Sequence, residues 1–334
     1  MKRLFLAVIA LALIGLFIAI GSYYYAYQQI NQPMLLESEE LFEVKQGQTV
    51  RQVAKSFERQ GWVNSHFWLK LYTKFNSSLS QVKEGVYLIK PQQSLYQALE
   101  MIVANQEHQF SVTFIEGSTY AQWLKVLANA EYLEHTLTNQ ESTLVLTRLN
   151  IEAEHPEGLF FPDTYAYTAG TKDIEILKRA FDKMDSYLQQ AWRERADLLP
   201  YETPYHALIM ASIIEKETGQ RSEQPLIASV FVNRLYKKMR LQTDPTVIYG
   251  LGDSYQGDIT RAHLKQKIRY NTYRINGLPP TPIAMPGKSA IDAALHPESS
   301  DYYYFVSKGN GWHQFSKTLK EHNKAVAKYQ LGQE

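Results

Sequence analysis

The longest apolar block in the chain is also the first. Leu4–Ile20 runs without a charge or strongly polar residue, directly after Lys2 and Arg3. Gly21 and Ser22 follow, then Tyr23, Tyr24, Tyr25 and Tyr27, and no charge appears before Glu37. A helix rises about 1.5 Å per residue, so about 20 apolar residues cross a bilayer core. The tyrosines suit the interfacial layer. Positive charge before the block, with Glu37, Glu39 and Glu40 after it, predicts a cytoplasmic N-terminus and an exported remainder. Residues 1–27 are thus expected to be a transmembrane anchor and residues 28–40 a tether. A cleaved signal peptide is the alternative. Its apolar core is usually shorter, about 7–15 residues, and Ala19-Ile20-Gly21 is a weak cleavage site.

Beyond the tether the pattern shortens and recurs. FEVKQGQTVRQVA (42–54), YLIKPQQSLYQAL (87–99) and VTFIEGSTYAQWL (112–124) each open with a β-prone run. A turn follows at Gly47, Pro91-Gln92 or Gly117, then a hydroxyl at Thr49, Ser94 or Thr119, then an amphipathic stretch. A hydroxyl there accepts from an unpaired N–H of the first helical turn, so each segment is expected to be strand, turn and helix. Common helix-start grammar yields such matches without a true repeat. The first segment resembles a LysM module, a small βααβ glycan-binding domain, through Val44, Gly47, Thr49, Val53 and Ala54, with VYLIKPQQ as its closing strand. That resemblance implies a LysM-like domain over 41–109; a domain that only spaces the remainder from the membrane is the alternative.

From about residue 110 the pattern fits a larger α+β domain, giving an α+β protein overall. Residues 173–195 carry helical periodicity with many charges, 204–218 read as a buried helix, and 223–238 as another. RLQTDPTVIYG (240–250) and YNTYRINGLPPTPIAMPG (270–287) are dense in turn and polar residues. DYYYFV (301–306) is expected to be a strand, followed by a polar helix from Ser316.

Composition excludes several chemistries. The 334 residues carry a net charge of +1, which gives no global basic field for nucleic acid. There is no cysteine, hence no disulfide framework, thiol nucleophile or cysteine-ligated zinc. No G-x-G-x-x-G, Walker, H-E-x-x-H or G-x-S-x-G sequence is present, so neither metal nor cofactor is expected.

The strongest chemical signal is ASIIEKETG (211–219), an apolar helix ending in Glu215 and Glu217. Residues two apart on a helix lie roughly 200° apart around the axis, so the two carboxyls do not share one site. A carboxyl facing an aromatic pocket has its pKa raised and donates protons near neutrality. The alternative is an exposed helix end whose glutamates pair with Lys216 or Arg221. Gln242, Thr243, Asp244, Asn271, Thr272, Tyr273 and Arg234 are read as lying in turn-rich segments outside regular elements, where binding groups concentrate. Amides, hydroxyls and a tyrosine suit sugars. His296 and His313 are expected to pair locally.

Taken in order, EGLFFPDTY, ASIIEKETG, LQTDPTVIYGLG, YNTYRINGLPPTPIAMPG and the closing YYYFV…HQFSKTLKEHN resemble the MltG (YceG-like) family of endolytic murein transglycosylases over nearly the whole chain. The resemblance implies that Glu217, the second glutamate of EKET, is the catalytic acid and base. Gln242, Asp244, Asn271 and Tyr273 are then expected to orient the sugar, with Glu157 and Asp163 either lining the cleft or serving a turn. It further implies a single-pass inner-membrane protein with a periplasmic catalytic domain at 110–334. That domain would cut nascent peptidoglycan strands beside penicillin-binding proteins that polymerise glycan. Two rivals stand: a hydrolase using Asp244 as second carboxylate, and a non-enzymatic glycan-binding scaffold.

Overall fold

A computed structural model describes residues 1–74, 79, 81–137 and 142–332. The chain divides into two compact units, one of residues 1–110 with 166–171, the other of 111–165 with 172–334. Both mix helices with short two-stranded sheets.

The first unit begins with α1 (Lys2–Asn31), an apolar helix long enough to cross a membrane. There follow β1 (Glu40–Val44), α2 (Val50–Arg59), α3 (Phe67–Thr73), β2 (Gly85–Ile89) and α4 (Leu95–Val103). β1 and β2 pair antiparallel, with Phe42 opposite Tyr87. Phe42, Phe57 and Trp62 pack ring against ring beneath them. The stretch 28–40, expected from its sequence to be a tether, is fastened to the first unit. α1 continues through it to Asn31, and Ile30 and Met34 are buried in the unit's core. The backbone N–H groups of Met34 and Leu35 donate to the carbonyls of Gln93 and Trp62. The tyrosine belt is partly spent in the same way, since Tyr23 stacks on Tyr72 and Tyr25 meets Trp68 edge-on.

The recurring strand–turn–helix pattern has a common geometry. β3 (Phe110–Thr113), α5 (Tyr120–Ala128), α6 (Ser142–Arg148) and β4 (Thr164–Tyr167) come next in the chain, and β3 pairs with β4. Thr49, Ser94 and Thr119 cap α2, α4 and α5, each in a reciprocal box with the glutamine three residues on. Two residues before each cap the backbone turns left-handed, at Gly47 (φ 77°), Gln92 (φ 66°) and Gly117 (φ 74°).

The second unit continues with α7 (Asp173–Arg193), α8 (Pro204–Glu217), α9 (Gln224–Tyr236), α10 (Asp244–Leu251), α11 (Arg261–Lys265), α12 (Lys288–Leu295), β5 (Tyr304–Ser307), β6 (His313–Ser316) and α13 (Leu319–Gln330). α8 is its central helix. Thr203 caps it, Pro204 opens it, and Ala207 through Ile214 are all buried, as a helix apolar on every face requires. α7, α9, α10 and α12 pack around it. Ser212, polar in this setting, is satisfied by donating to the Ile209 carbonyl and accepting from the Ile283 N–H.

In this unit the structure departs from the sequence reading in two places. Residues 244–251 are helical, so Asp244 opens a helix and Arg234 lies within α9. The final strand region is a β5–β6 hairpin, with Ser316 inside β6 and the last helix starting at Leu319 after its Thr318 cap. EGLFFPDTY and PPTPIAMPG pack on each other. Gly158 (φ 82°) comes so close to Pro282 that a Cβ there would lie 2.4 Å from the proline ring, and its N–H points to Met285 Sδ, 3.1 Å away.

Candidate active site

α8 ends where its apolar face gives out, and the two glutamates part there. Glu215 accepts from the N–H of Gly287, the residue that caps α12. Burial pushes its carboxyl up from the ordinary range. Glu217 points elsewhere, into a cavity of about 460 Å³ in the second unit. Among the described residues neither glutamate takes part in a helix-end ion pair. Arg221 pairs with Glu116, and Lys216 donates to the Gly117 carbonyl.

The cavity is built by the end of α8, by α9, by the entry to α10, by the β5–β6 hairpin and by α13. Glu217 is half-buried in its wall, and Thr243 donates its hydroxyl to Glu217 Oε1. Burial raises the Glu217 pKa to about 7; Thr243 and Arg234 oppose the rise and Asp244 adds to it. A carboxyl so placed exchanges a proton near neutrality, as a group serving first as acid and then as base requires. Thr243 is itself fixed. Its N–H donates to Thr272 Oγ1 at 3.0 Å, and Thr246 Oγ1 bonds both the Thr243 carbonyl and Thr272. This buried hydroxyl cluster holds the loop before α10 against the loop carrying Thr272.

Three of the four expected sugar-orienting residues line the cavity with Glu217: Gln242, Asp244 and Tyr273. Tyr273 donates its phenol to Asp244 Oδ1 at 2.7 Å. Gln242 is left-handed (φ 54°), an uncommon backbone for a residue with a side chain, and its N–H meets the Thr272 carbonyl at 3.3 Å. Asn271 is different. It is fully buried, its amide donates to the carbonyls of His263, Leu264 and Gln266, and its oxygen accepts from the Tyr273 N–H. With its donors spent on backbone, it shapes the loop that presents Tyr273 and does not face the cavity.

Glu157 and Asp163 lie away from this wall. Asp163 pairs with Lys183 at the surface. Glu157 is buried, accepting from the Tyr120 N–H and the Tyr249 phenol, and burial lifts its pKa to about 7. Its bond to Tyr249 ties α10 from the side opposite its entry.

The cavity also holds residues that the sequence reading placed elsewhere or passed over. Arg234 spans its floor, donating to the carbonyls of Tyr303, Arg240 and Leu241 and to Gln242 Oε1. Its guanidinium lies 5.2 Å from the centre of the Tyr304 ring. His313 was expected to pair locally; it pairs with Glu223, ninety positions away in the chain. Tyr304, His313 and His322 reach the cavity from the C-terminal hairpin and helix; they lie in YYYFV and HQFSKTLKEHN, to which the sequence reading gave no site role. Among the described residues no cluster suited to a metal ion occurs.

Comparison with known proteins agrees in extent with this architecture. The model of the YceG-like family matches residues 42–328. The chain is 33% identical over 305 residues to an endolytic murein transglycosylase of Bacillus subtilis, covering 86% of this chain and 83% of that protein. It is 22% identical over 320 residues to an endolytic murein transglycosylase of Streptococcus pneumoniae serotype 2, covering 86% of this chain but 57% of that protein. A crystal structure of a YceG-like protein from Listeria monocytogenes superposes with a TM-score of 0.51 at 29% identity, over 87% of this chain and 100% of that one. The match runs from β1 to within α13 and takes in Glu217, Gln242, Asp244, Tyr273, His313 and His322 of the cavity: the chain belongs to the YceG-like family.

Proposed function

We propose that this chain is an endolytic peptidoglycan lytic transglycosylase in which Glu217 is the single acid and base. The observation that carries the reading is one half-buried carboxyl, poised near neutral pH, in a polar and aromatic cavity. Its relatives named as endolytic murein transglycosylases supply the substrate class.

The reaction needs only one carboxyl. Protonated Glu217 gives its proton to the oxygen joining N-acetylmuramic acid to N-acetylglucosamine, and the C1–O bond breaks. The carboxylate left behind takes the proton of the muramic acid C6 hydroxyl, whose oxygen closes on C1 as a 1,6-anhydro ring. The proton count on Glu217 is restored and no water is consumed. A hydrolase of the two-carboxylate type instead uses a second acidic group to activate water or attack C1. Asp244 is held by the Tyr273 phenol, and its charge beside Glu217 helps keep that carboxyl protonated. We assign Asp244 and Tyr273 to stabilising the developing positive charge of the sugar, and Gln242 to orienting it.

The β1-α2-α3-β2 order, with its antiparallel closing pair, supports a LysM-like, glycan-binding reading of the segment from Glu40 to Ile89. α1 supports a single-pass anchor in the inner membrane, with the N-terminus cytoplasmic and the second unit periplasmic. That location would confine cutting to nascent strands and set the enzyme beside glycan-polymerising penicillin-binding proteins.

The test is Glu217→Gln in the full-length protein with uncrosslinked glycan strands. Cleavage is expected to fall by about 10²–10⁴-fold, the usual worth of a positioned acid or base, while strands stay bound. Cleavage at the wild-type rate would remove Glu217 from the mechanism.

A further inference from the structure

The side of the cavity formed by the C-terminal hairpin has no part in the proton transfer, yet it carries a polar group held at two points. His313 Nδ1 lies 2.8 Å from Glu223 Oε2, and the His313 backbone N–H donates to Glu223 Oε1 at 3.0 Å. Glu223 is buried, so one carboxylate is taken out of water to hold one histidine from both sides. Burying a carboxylate is expensive, and such an arrangement fixes which ring nitrogen is committed and how the ring is turned. Nδ1 is committed to Glu223, which leaves Nε2. The ring is braced edge-on by Phe305 at 5.4 Å between centroids, and His313 lines the cavity that Glu217 enters. Beside it on the same wall, the His322 ring stacks on Tyr304 at 5.2 Å, and its buried Nδ1 has no hydrogen-bond partner among the described residues.

We propose that His313 is a substrate-binding residue of this cavity: its Nε2 hydrogen-bonds an uncharged polar group, a hydroxyl or acetamido group of a sugar next to the one that reacts, and so sets the strand's register on Glu217. The inference rests on the transglycosylase reading above for its substrate. The choice of an uncharged group follows from the charges present. The lining contributes Glu217 and Asp244, with Glu223 behind His313. The cation Arg234 is engaged by three backbone carbonyls and Gln242. An incoming carboxylate would meet acidic neighbours without a free Lys or Arg among the described lining residues. A hydroxyl, able to donate or accept, fits Nε2 in either protonation state of the ring. Tyr304 and Phe305 line the cavity beside it, their rings held by His322 and Arg234 and by Phe231. The two histidines of HQFSKTLKEHN thereby gain a common place in the molecule, on one wall of one cavity.

The experiment uses the full-length protein in detergent with peptide-free and, in parallel, peptide-bearing glycan strands. His313→Ala is expected to raise KM about tenfold, the usual loss for one hydrogen bond to a ligand. It should weaken strand binding by the same factor in the Glu217→Gln background, and His313→Gln should recover part of both. Removing His313 leaves Glu223 buried without its partner, so Glu223→Gln/His313→Ala is measured alongside, with melting temperatures showing that each variant folds. Folded variants with unchanged KM and unchanged binding would overturn the proposal. Losses confined to peptide-bearing strands would overturn it too, by making the recognised group a stem-peptide carboxylate. Full cleavage by Glu217→Gln would instead overturn the acid role of Glu217, and the KM of His313→Ala would still decide the binding role of His313.

Discussion

Glu215 and Glu217 share a helix end and differ in everything around it. One meets the N–H of Gly287, the other the Thr243 hydroxyl in the cavity wall. Because Glu217 must carry a proton to start the reaction, kcat/KM is predicted to fall as pH rises through about 7. Thr243 donates to the ionised form and so holds that pKa down. Thr243→Val should therefore move the alkaline limb to higher pH. Asp244→Asn, which removes a neighbouring negative charge, should move it lower; pH–rate profiles of the two variants check both signs. Stability follows from the same shift. The folded pKa of Glu217 lies above its ordinary value of 4.5, so its contribution is fully present below that value and is lost as pH rises through about 7. Glu217→Gln is thus expected to melt higher than wild type at pH 8, by roughly 1 kcal/mol or more in stability, and near it at pH 5. Glu157 titrates in the same window but is common to both proteins, so the comparison isolates Glu217. At this scale the sequence was legible where a polar residue stood beside an apolar helix or in a turn-rich run, as with Glu217, Asp244 and Tyr273. Asn271 shares those surroundings, and sequence gives no sign that backbone carbonyls would absorb its amide. The His313–Glu223 pair bridges ninety residues, a separation that no local pattern reports.

The helix caps were the most legible elements, because a cap is written in about four consecutive residues. Thr49, Ser94 and Thr119 cap their helices as expected, and each adds a reciprocal box with Gln52, Gln97 or Gln122. Replacing any one with alanine should cost about 1 kcal/mol, measurable by denaturant unfolding. Gln92 occupies the left-handed position that glycine fills at 47 and 117. Gln92→Gly is expected to be neutral or stabilising, whereas Gly47→Ala should destabilise. α10 was not legible. Asp-Pro is common both in turns and at the first turn of a helix, and only packing against α8 settles the choice here. The end of α1 was misread for a related reason: Ile30 and Met34 lie in a polar stretch, and their burial depends on a core assembled from distant residues. Each such side chain contributes roughly 1.5–3 kcal/mol. A soluble fragment starting at residue 38 should therefore lose stability in the first unit relative to one starting at residue 22, as hydrogen exchange of β1 and β2 would show.

At the scale of the whole chain, hydrophobic patterning foresaw an apolar N-terminal helix and a mixed helix-and-sheet protein. It did not foresee how little sheet there is. The described strands form two-stranded ribbons, and helices around α8 supply most of the second unit's core. The motifs that carry the family resemblance also divide by role. EKETG, the segment around Thr243 and the loop of Asn271–Tyr273 converge on the cavity, while EGLFFPDTY and PPTPIAMPG lock against each other through Gly158 and Pro282. Motif order in sequence does not distinguish a residue that meets substrate from one that lets two loops touch. The central claim, that one carboxyl cuts the strand without water, is tested most directly by running the full-length protein on uncrosslinked glycan strands in oxygen-18 water and reading the fragments by mass spectrometry. The account predicts internal fragments ending in 1,6-anhydro-N-acetylmuramic acid, with no added water and no oxygen-18. Reducing ends carrying oxygen-18 would contradict it and make the chain a hydrolase.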